Sequence, residues 1–175
     1  MNKNNYNNKG SIVNQHAFSL IEMLVVISIF AAIGILSIQA VSLTLKSSRK
    51  SESLVRVREN VNYSLAVIER QLRNSESITS TCTGTPSTSL SYTTTEGTVS
   101  SFTCITPGTS GYIASGSARL TSTDISVTAC SFTCTQTDAS KPPVVKLSVT
   151  AEDSLVTGAE KGSASTDLEI VTRNY

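Results

Sequence analysis

Histidine is almost missing from this chain: of 175 residues only His16 carries an imidazole, and it lies in a polar N-terminal stretch. If processing removes that stretch, Ser–His and Cys–His nucleophile pairs are unavailable, and so are histidine metal sites. Neither GxxxxGK(S/T) nor GxGxxG occurs, so no phosphate-cradling glycine loop is offered. Charge is scarce as well. With 15% charged residues and a net charge of +1, the composition provides no basic surface large enough to drive nucleic-acid binding, and DNA binding is not indicated. The acids Glu96, Asp124, Asp138, Glu152, Asp153, Glu160, Asp167 and Glu169 are scattered along the C-terminal part. Glu152, Asp153 and Glu160 bring hard oxygen donors of the kind calcium takes, but solvated loop acids are the commoner explanation. We expect no metal, no cofactor and no enzyme.

Charge is also missing from one continuous run. About 23 residues, from Met23 to Leu45, pass without a charged side chain, enough at helical rise to cross the roughly 30 Å hydrocarbon core of a bilayer. Residues 16–45 therefore read as a membrane span with one acid, Glu22, near its start. A carboxylate in such a segment costs about 2.5–3.5 kcal/mol on insertion scales, which makes a functional role with a partner the default. The bland reading places it at the headgroup level, where it needs none. Proline and glycine are absent from residues 18–77 except for Gly34, so one unbroken helix of about 90 Å is expected. In its second half Leu54, Val57, Val61, Leu65, Ile68 and Leu72 recur at steps of three and four on one face, while Arg56, Glu59, Asn60, Arg70 and Arg73 fall largely away from it. The stripe has too few heptads to favour a coiled coil.

The start of the run carries a specific pattern: Ala17, then Phe18-Ser19-Leu20-Ile21-Glu22, then the apolar helix from Met23. It resembles the N-terminal signature of type IV pilins and type II secretion pseudopilins, in which a short polar basic leader ends in a small residue ahead of Phe-(Thr/Ser)-Leu-Ile-Glu. Ala17 stands where glycine is usual. Gln39 stands near the point where major pilins often carry a proline, which favours a minor subunit. The resemblance implies a leader at residues 1–17, polar, Asn-rich and carrying Lys3 and Lys9, that is set aside from the fold. A prepilin peptidase would cut between Ala17 and Phe18 on the cytoplasmic side and methylate the Phe18 amine. Unlike a secretory signal, this cut leaves the apolar helix on the mature chain. Glu22 of one subunit would then pair with the Phe18 amine of a neighbour during assembly. The implied partners are the peptidase, other pilin or pseudopilin subunits, an inner-membrane assembly platform, and membrane lipid before assembly.

Orientation from charge alone points the other way, because Lys46, Arg49 and Lys50 follow the span while only Lys3 and Lys9 precede it. The leader and the cysteines argue instead for a single pass through the inner membrane with an exported C-terminal part, later carried into a pilus or pseudopilus. All four cysteines, Cys82, Cys104, Cys130 and Cys134, lie well beyond the span. An even count in an exported segment argues for disulfides, with buried free thiols as the alternative. If Cys130 and Cys134 share one regular strand, their Cα atoms are about 13 Å apart, too far to bridge. Cys82 and Cys104 would then each reach that strand, unless a tight turn intervenes at residues 131–133.

Beyond residue 77 the sequence turns to Ser, Thr and short alternating runs broken by Gly84, Pro86, Gly97, Pro107-Gly108, Gly116 and Pro142-Pro143, which favours strands over helices. Residues 89–94 and 98–105 flank Glu96-Gly97 as a hairpin. Residues 112–120 make a weaker strand broken near Gly116. Residues 124–135 make a longer one that starts with Ile125, Val127 and Ala129 on one side and continues with Cys130, Phe132 and Cys134 on the other, so a bulge is expected near Ala129. Residues 144–150 and 168–172 complete the set, with a polar loop at 152–165. A disordered glycosylated stalk is the alternative for so Ser/Thr-rich a region; the regular alternation of β-branched and aromatic residues favours a folded sheet.

The expected fold is α+β and pilin-like: a leader (1–17), a transmembrane or filament-core helix (18–45), an amphipathic helix half (46–77) and an antiparallel β-sheet domain (78–175) packed on it. The length of the helix, Leu120-Thr121-Ser122-Thr123-Asp124 and the ending Thr172-Arg173-Asn174-Tyr175 look like the larger minor subunits, J-like in secretion systems or W-like in pili. The expected function is that of a filament structural subunit. The competing reading is a membrane-anchored binding or adhesion module that does not polymerise.

Overall fold

The computed structural model describes residues 19–108, 110–138 and 140–172. The chain divides into two units, residues 1–43 and residues 44–175. One helix, α1 (Leu20–Arg73, 54 residues), contributes to both.

In the first unit α1 opens at Ser19, whose carbonyl accepts the N–H groups of Glu22 and Met23 at 3.0 and 3.2 Å. No proline interrupts the helix, and Ser28 and Ser37 return their hydroxyls to the carbonyls four residues back, at 2.8 and 2.9 Å. These bonds satisfy two polar side chains inside an apolar stretch.

Among its described residues the second unit contains the rest of α1 and nine strands. They are β1 (Ser77–Ile78), β2 (Thr83–Ser87), β3 (Ser89–Thr93), β4 (Val99–Ile105), β5 (Tyr112–Ser115), β6 (Ala118–Arg119), β7 (Ile125–Thr135), β8 (Val144–Asp153) and β9 (Ser163–Val171), with a short 3-10 turn at Gly158–Glu160. They form two antiparallel sheets, ordered β1-β3-β4-β5-β6 and β2-β7-β8-β9, where one sheet was expected. The apolar stripe of α1 joins their shared core: Val57, Val61, Leu65, Ile68 and Leu72 are buried among Leu90, Phe102, Ile113, Val127, Phe132, Leu147 and Ile170. Tyr92, Phe102 and Phe132 stack in sequence, with ring centroids 5.1 and 6.5 Å apart, and so join the first sheet to the second. Offset aromatic contacts of this kind add about 0.5–1.5 kcal/mol each beyond area burial.

Several sequence expectations are corrected in detail. Residues 112–120 are not one broken strand but the hairpin β5–β6, turned at Gly116 with φ 57°. The expected polar loop at 152–165 is shorter, because β8 runs on to Asp153 and β9 already begins at Ser163. The register of β7 on β8 shifts between Val127 and Ala129, as the change of face required, but Ala129 itself faces outward. The hairpin β3–β4 pairs Thr93 with Val99 across a turn in which Gly97 takes φ 76°, a conformation that costs glycine nothing.

Candidate functional site

Two places carry the residues singled out by sequence: the start of α1 and the disulfide-bridged sheet domain. The expected cleavage pair, Ala17 and Phe18, lies outside the described residues. Glu22 is described. It occupies the first turn of α1, where the partial positive charge of the helix N-terminus favours an acid. The spacing from Ser19 to Glu22 is also that of a capping box, so the sequence has a local reason to start a helix here. Every described residue from 19 to 52 is exposed, and the large apolar side chains from Leu20 to Leu45 keep between 41% and 82% of their surface accessible. One described helix is long and apolar enough to cross a membrane. A soluble chain rarely leaves so large a continuous apolar surface uncovered.

The cysteines pair across the second unit. Cys82 is bridged to Cys134 and Cys104 to Cys130, with Cα separations of 4.4 and 5.8 Å. Cys130 and Cys134 both lie on β7 and do not bridge each other. One bridge fastens the segment between β1 and β2 to the far end of β7, and the other joins β4 of the first sheet to β7 of the second. Removing a native bridge from a small domain typically costs about 2–5 kcal/mol.

The late acids do not converge as a calcium site would require, nor do they simply face water. Glu152 pairs with Lys161, and Glu160 lies 3.8 Å from Arg49. Asp153, fully buried, accepts the Ser53 hydroxyl at 2.9 Å and the Leu155 N–H at 2.9 Å, and lies 3.5 Å from the Arg56 guanidinium. Among the described residues no cluster of three or more metal-ligating side chains occurs. Ser53 in turn accepts the Gly162 N–H at 2.8 Å, and a Cβ at position 162 would come within 2.5 Å of the Leu54 nitrogen. The β8–β9 connection is therefore locked to one turn of α1 by a serine, an arginine, an aspartate and a glycine.

Sequence reading missed this lock. The helical period puts Arg56 and Asn60 largely on the outward face, yet Arg56 turns back to Asp153 and the Asn60 side-chain oxygen accepts the Ser122 N–H at 3.3 Å. The available signal was Ser53. It continues the four-residue step back from Val57 and Val61 into a buried position, and a buried polar side chain requires a partner. Gln71 was missed in the same way: its carbonyl oxygen accepts the Tyr92 and Ser115 hydroxyls at 2.8 and 3.2 Å, tying the end of the helix to the first sheet.

No curated protein and no solved structure matches the chain significantly. A family model, the prokaryotic N-terminal methylation motif, matches residues 12–38. That motif supports a pilin-like protein processed by prepilin peptidase and points to a structural role. Together with the apolar helix it indicates a single-pass, membrane-anchored chain. The motif, on a long N-terminal helix followed by antiparallel sheets, supports placing this chain in the type IV pilin and pseudopilin family.

Proposed function

We propose that this protein is a structural subunit of a type IV pilus or type II secretion filament, with the role of a minor pilin or minor pseudopilin. The observation that carries the reading is the methylation motif at residues 12–38 together with a helix whose apolar half is exposed throughout among the described residues. Such a surface has two suitable solvents, the hydrocarbon of a bilayer and the apolar helices of other subunits. A helix that moves from the first to the second exchanges one apolar environment for another, so transfer from membrane to filament loses little hydrophobic free energy.

In this reading residues 1–17 are a leader removed by prepilin peptidase between Ala17 and Phe18, and the new Phe18 amine is methylated. The amine stays basic and so remains a cation near neutral pH. Glu22, four residues on, meets the Phe18 amine of a neighbouring subunit. A buried pair need not add net stability over an apolar substitute, but a lone carboxylate left among packed helices is costly. The pair therefore sets register, since a subunit docks only where the two charges meet. After export the sheet domain is held together by its bridges in an oxidising compartment.

Glu22→Ala is expected to leave processing intact and to reduce incorporation into filaments, measured by subunit counting in purified filaments; normal incorporation would defeat the pairing role. Mass spectrometry of the mature N-terminus separates the main readings. An N-methylated Phe18 supports the filament subunit, and an intact Met1 supports a plain signal anchor carrying a binding domain.

A further inference from the structure

The two sheets end in four edge strands, and three of them are poor templates for pairing with another chain. β1 and β6 are two residues long. β2 pairs irregularly with β7 between Thr83 and Pro86, and Pro86 has no N–H to offer. Natural sheets blunt their edges by these means: short strands, proline and local irregularity. β9 has none of these three; charge, at Asp167 and Glu169, is the one such device it carries. It pairs with β8 through nine unbroken register positions, and among the described residues no strand lies on its other side.

The hydrogen bonds at the two ends of this ladder fix which groups are open. Asp153 N–H donates to the Gly162 carbonyl at 3.0 Å, and Thr172 N–H donates to the Pro143 carbonyl at 3.2 Å. Bonded and non-bonded pairs alternate in an antiparallel ladder. Ala164, Thr166, Leu168 and Ile170 therefore turn their backbone groups to β8, whereas Ser163, Ser165, Asp167, Glu169 and Val171 turn theirs away. These same outward-facing residues are all exposed. Two of them, Asp167 and Glu169, are acids at alternate positions on one face. Lys146 stands across from Glu169 and Ser148 across from Asp167 on β8, so only one of the acids has a cation opposite it.

We propose that the free edge of β9 is an interaction surface that accepts an extended segment of a different protein chain, with basic side chains at alternate positions opposite Asp167 and Glu169. Main-chain hydrogen bonds along the edge supply affinity, and the acids supply selection. A second copy of β9 is disfavoured because pairing that engages both acids sets like charges opposite or diagonal to one another. Among the described residues no strand of this chain carries two basic side chains in that spacing, so the partner is another protein. The inference stands on the sheet alone and does not require the filament reading.

The test uses the full chain in detergent micelles and two fluorescein-labelled peptides, Thr-Val-Ser-Lys-Val-Lys-Ser-Val-Thr and the same sequence with Glu in place of Lys. Fluorescence anisotropy is expected to show the lysine peptide binding about ten-fold tighter, within the range for two cross-strand charge pairs. Asp167→Lys with Glu169→Gln alters only exposed side chains and is expected to abolish or invert that preference. Ser165→Pro removes an outward N–H without taking a backbone bond from β8, giving up there only the hydroxyl contact with Thr150, and is expected to weaken both peptides. The proposal is overturned if wild type binds neither peptide, binds both equally, or keeps its preference in the charge variant. A wild-type dimer that Ser165→Pro dissociates would assign the edge to a second copy and overturn it as well.

Discussion

The two parts of α1 share one secondary structure and differ in almost everything else. Up to Leu43 its apolar residues are distributed all round, and Ile33 is 56% exposed; further on they collect in a stripe, and Ile68 is 0% exposed. Helical hydrogen bonding is the same in both. The difference is in the packing partner: the stripe is covered by sheets of its own chain, whereas the all-round surface is exposed among the described residues. A helix polar on one face is finished by its own fold, whereas a helix apolar on every face is finished only by its surroundings.

The sharpest way to break that comparison is a matched pair of truncations. Ile68→Ala is expected to cost about 2–5 kcal/mol of sheet-domain stability, and Ile33→Ala less than about 0.5 kcal/mol, both read from urea unfolding in detergent. Equal losses would erase the distinction. Next in size, Cys104→Ser with Cys130→Ser removes the bridge that joins the two sheets and is expected to cost about 2–4 kcal/mol. Unfolding followed by near-ultraviolet circular dichroism reads the loss, and unchanged stability would show that the aromatic stack alone suffices. Asp153→Asn keeps the shape of the side chain but weakens its bonds from Ser53, Arg56 and Leu155; the expected cost is about 1.5–3 kcal/mol. Hydrogen exchange at Gly162, whose N–H is held by Ser53, should rise with it.

The smallest effect sits at an exposed acid, in contrast to the buried Asp153. The Ser140 N–H and hydroxyl hold the Asp138 carboxyl below its ordinary value. A carboxyl with a depressed folded pKa contributes its stability above the unfolded value, near about 3.9, and loses it as pH falls through the lower folded value. NMR titration should place Asp138 below an ordinary aspartate, and Ser140→Ala should move it part of the way back. An unshifted Asp138 would remove the role given to Ser140.

The parts legible in the sequence are those where burial imposes a period. The apolar stripe from Val57 to Leu72 and the alternation through Val145, Leu147 and Val149 follow from facing one core. The cysteine argument followed from strand rise alone, since Cys130 and Cys134 on one strand are too far apart to join. What remained hidden lacks side-chain periodicity. β2, Thr83–Ser87, contains Gly84 and Pro86 and no large apolar residue; its backbone pairing with β7 and the adjacent Cys82 bridge hold it in place. The beginning of β9 reads Ser-Ala-Ser-Thr-Asp, which resembles a loop until β8 is beside it. Division into two sheets depends on contacts between distant segments, which no local window contains. At the candidate site, the helix that carries Glu22 in its first turn was legible because an apolar run without proline is conspicuous. The Ser53–Asp153 lock was not, because its members are a hundred residues apart.

Gly162 carries that lock further than its own contacts. Its N–H is held by the Ser53 hydroxyl of α1, a Cβ on it would run into the helix backbone at Ser53 and Leu54, its carbonyl accepts the first bond of the β8–β9 ladder, and β9 starts at the next residue. The helix thus serves as the datum from which the last strand is laid out. A side chain at position 162 would displace that origin, and a slip of one residue would exchange the two faces of β9. Asp167 and Glu169 would then turn inward while Leu168 and Ile170 met the solvent.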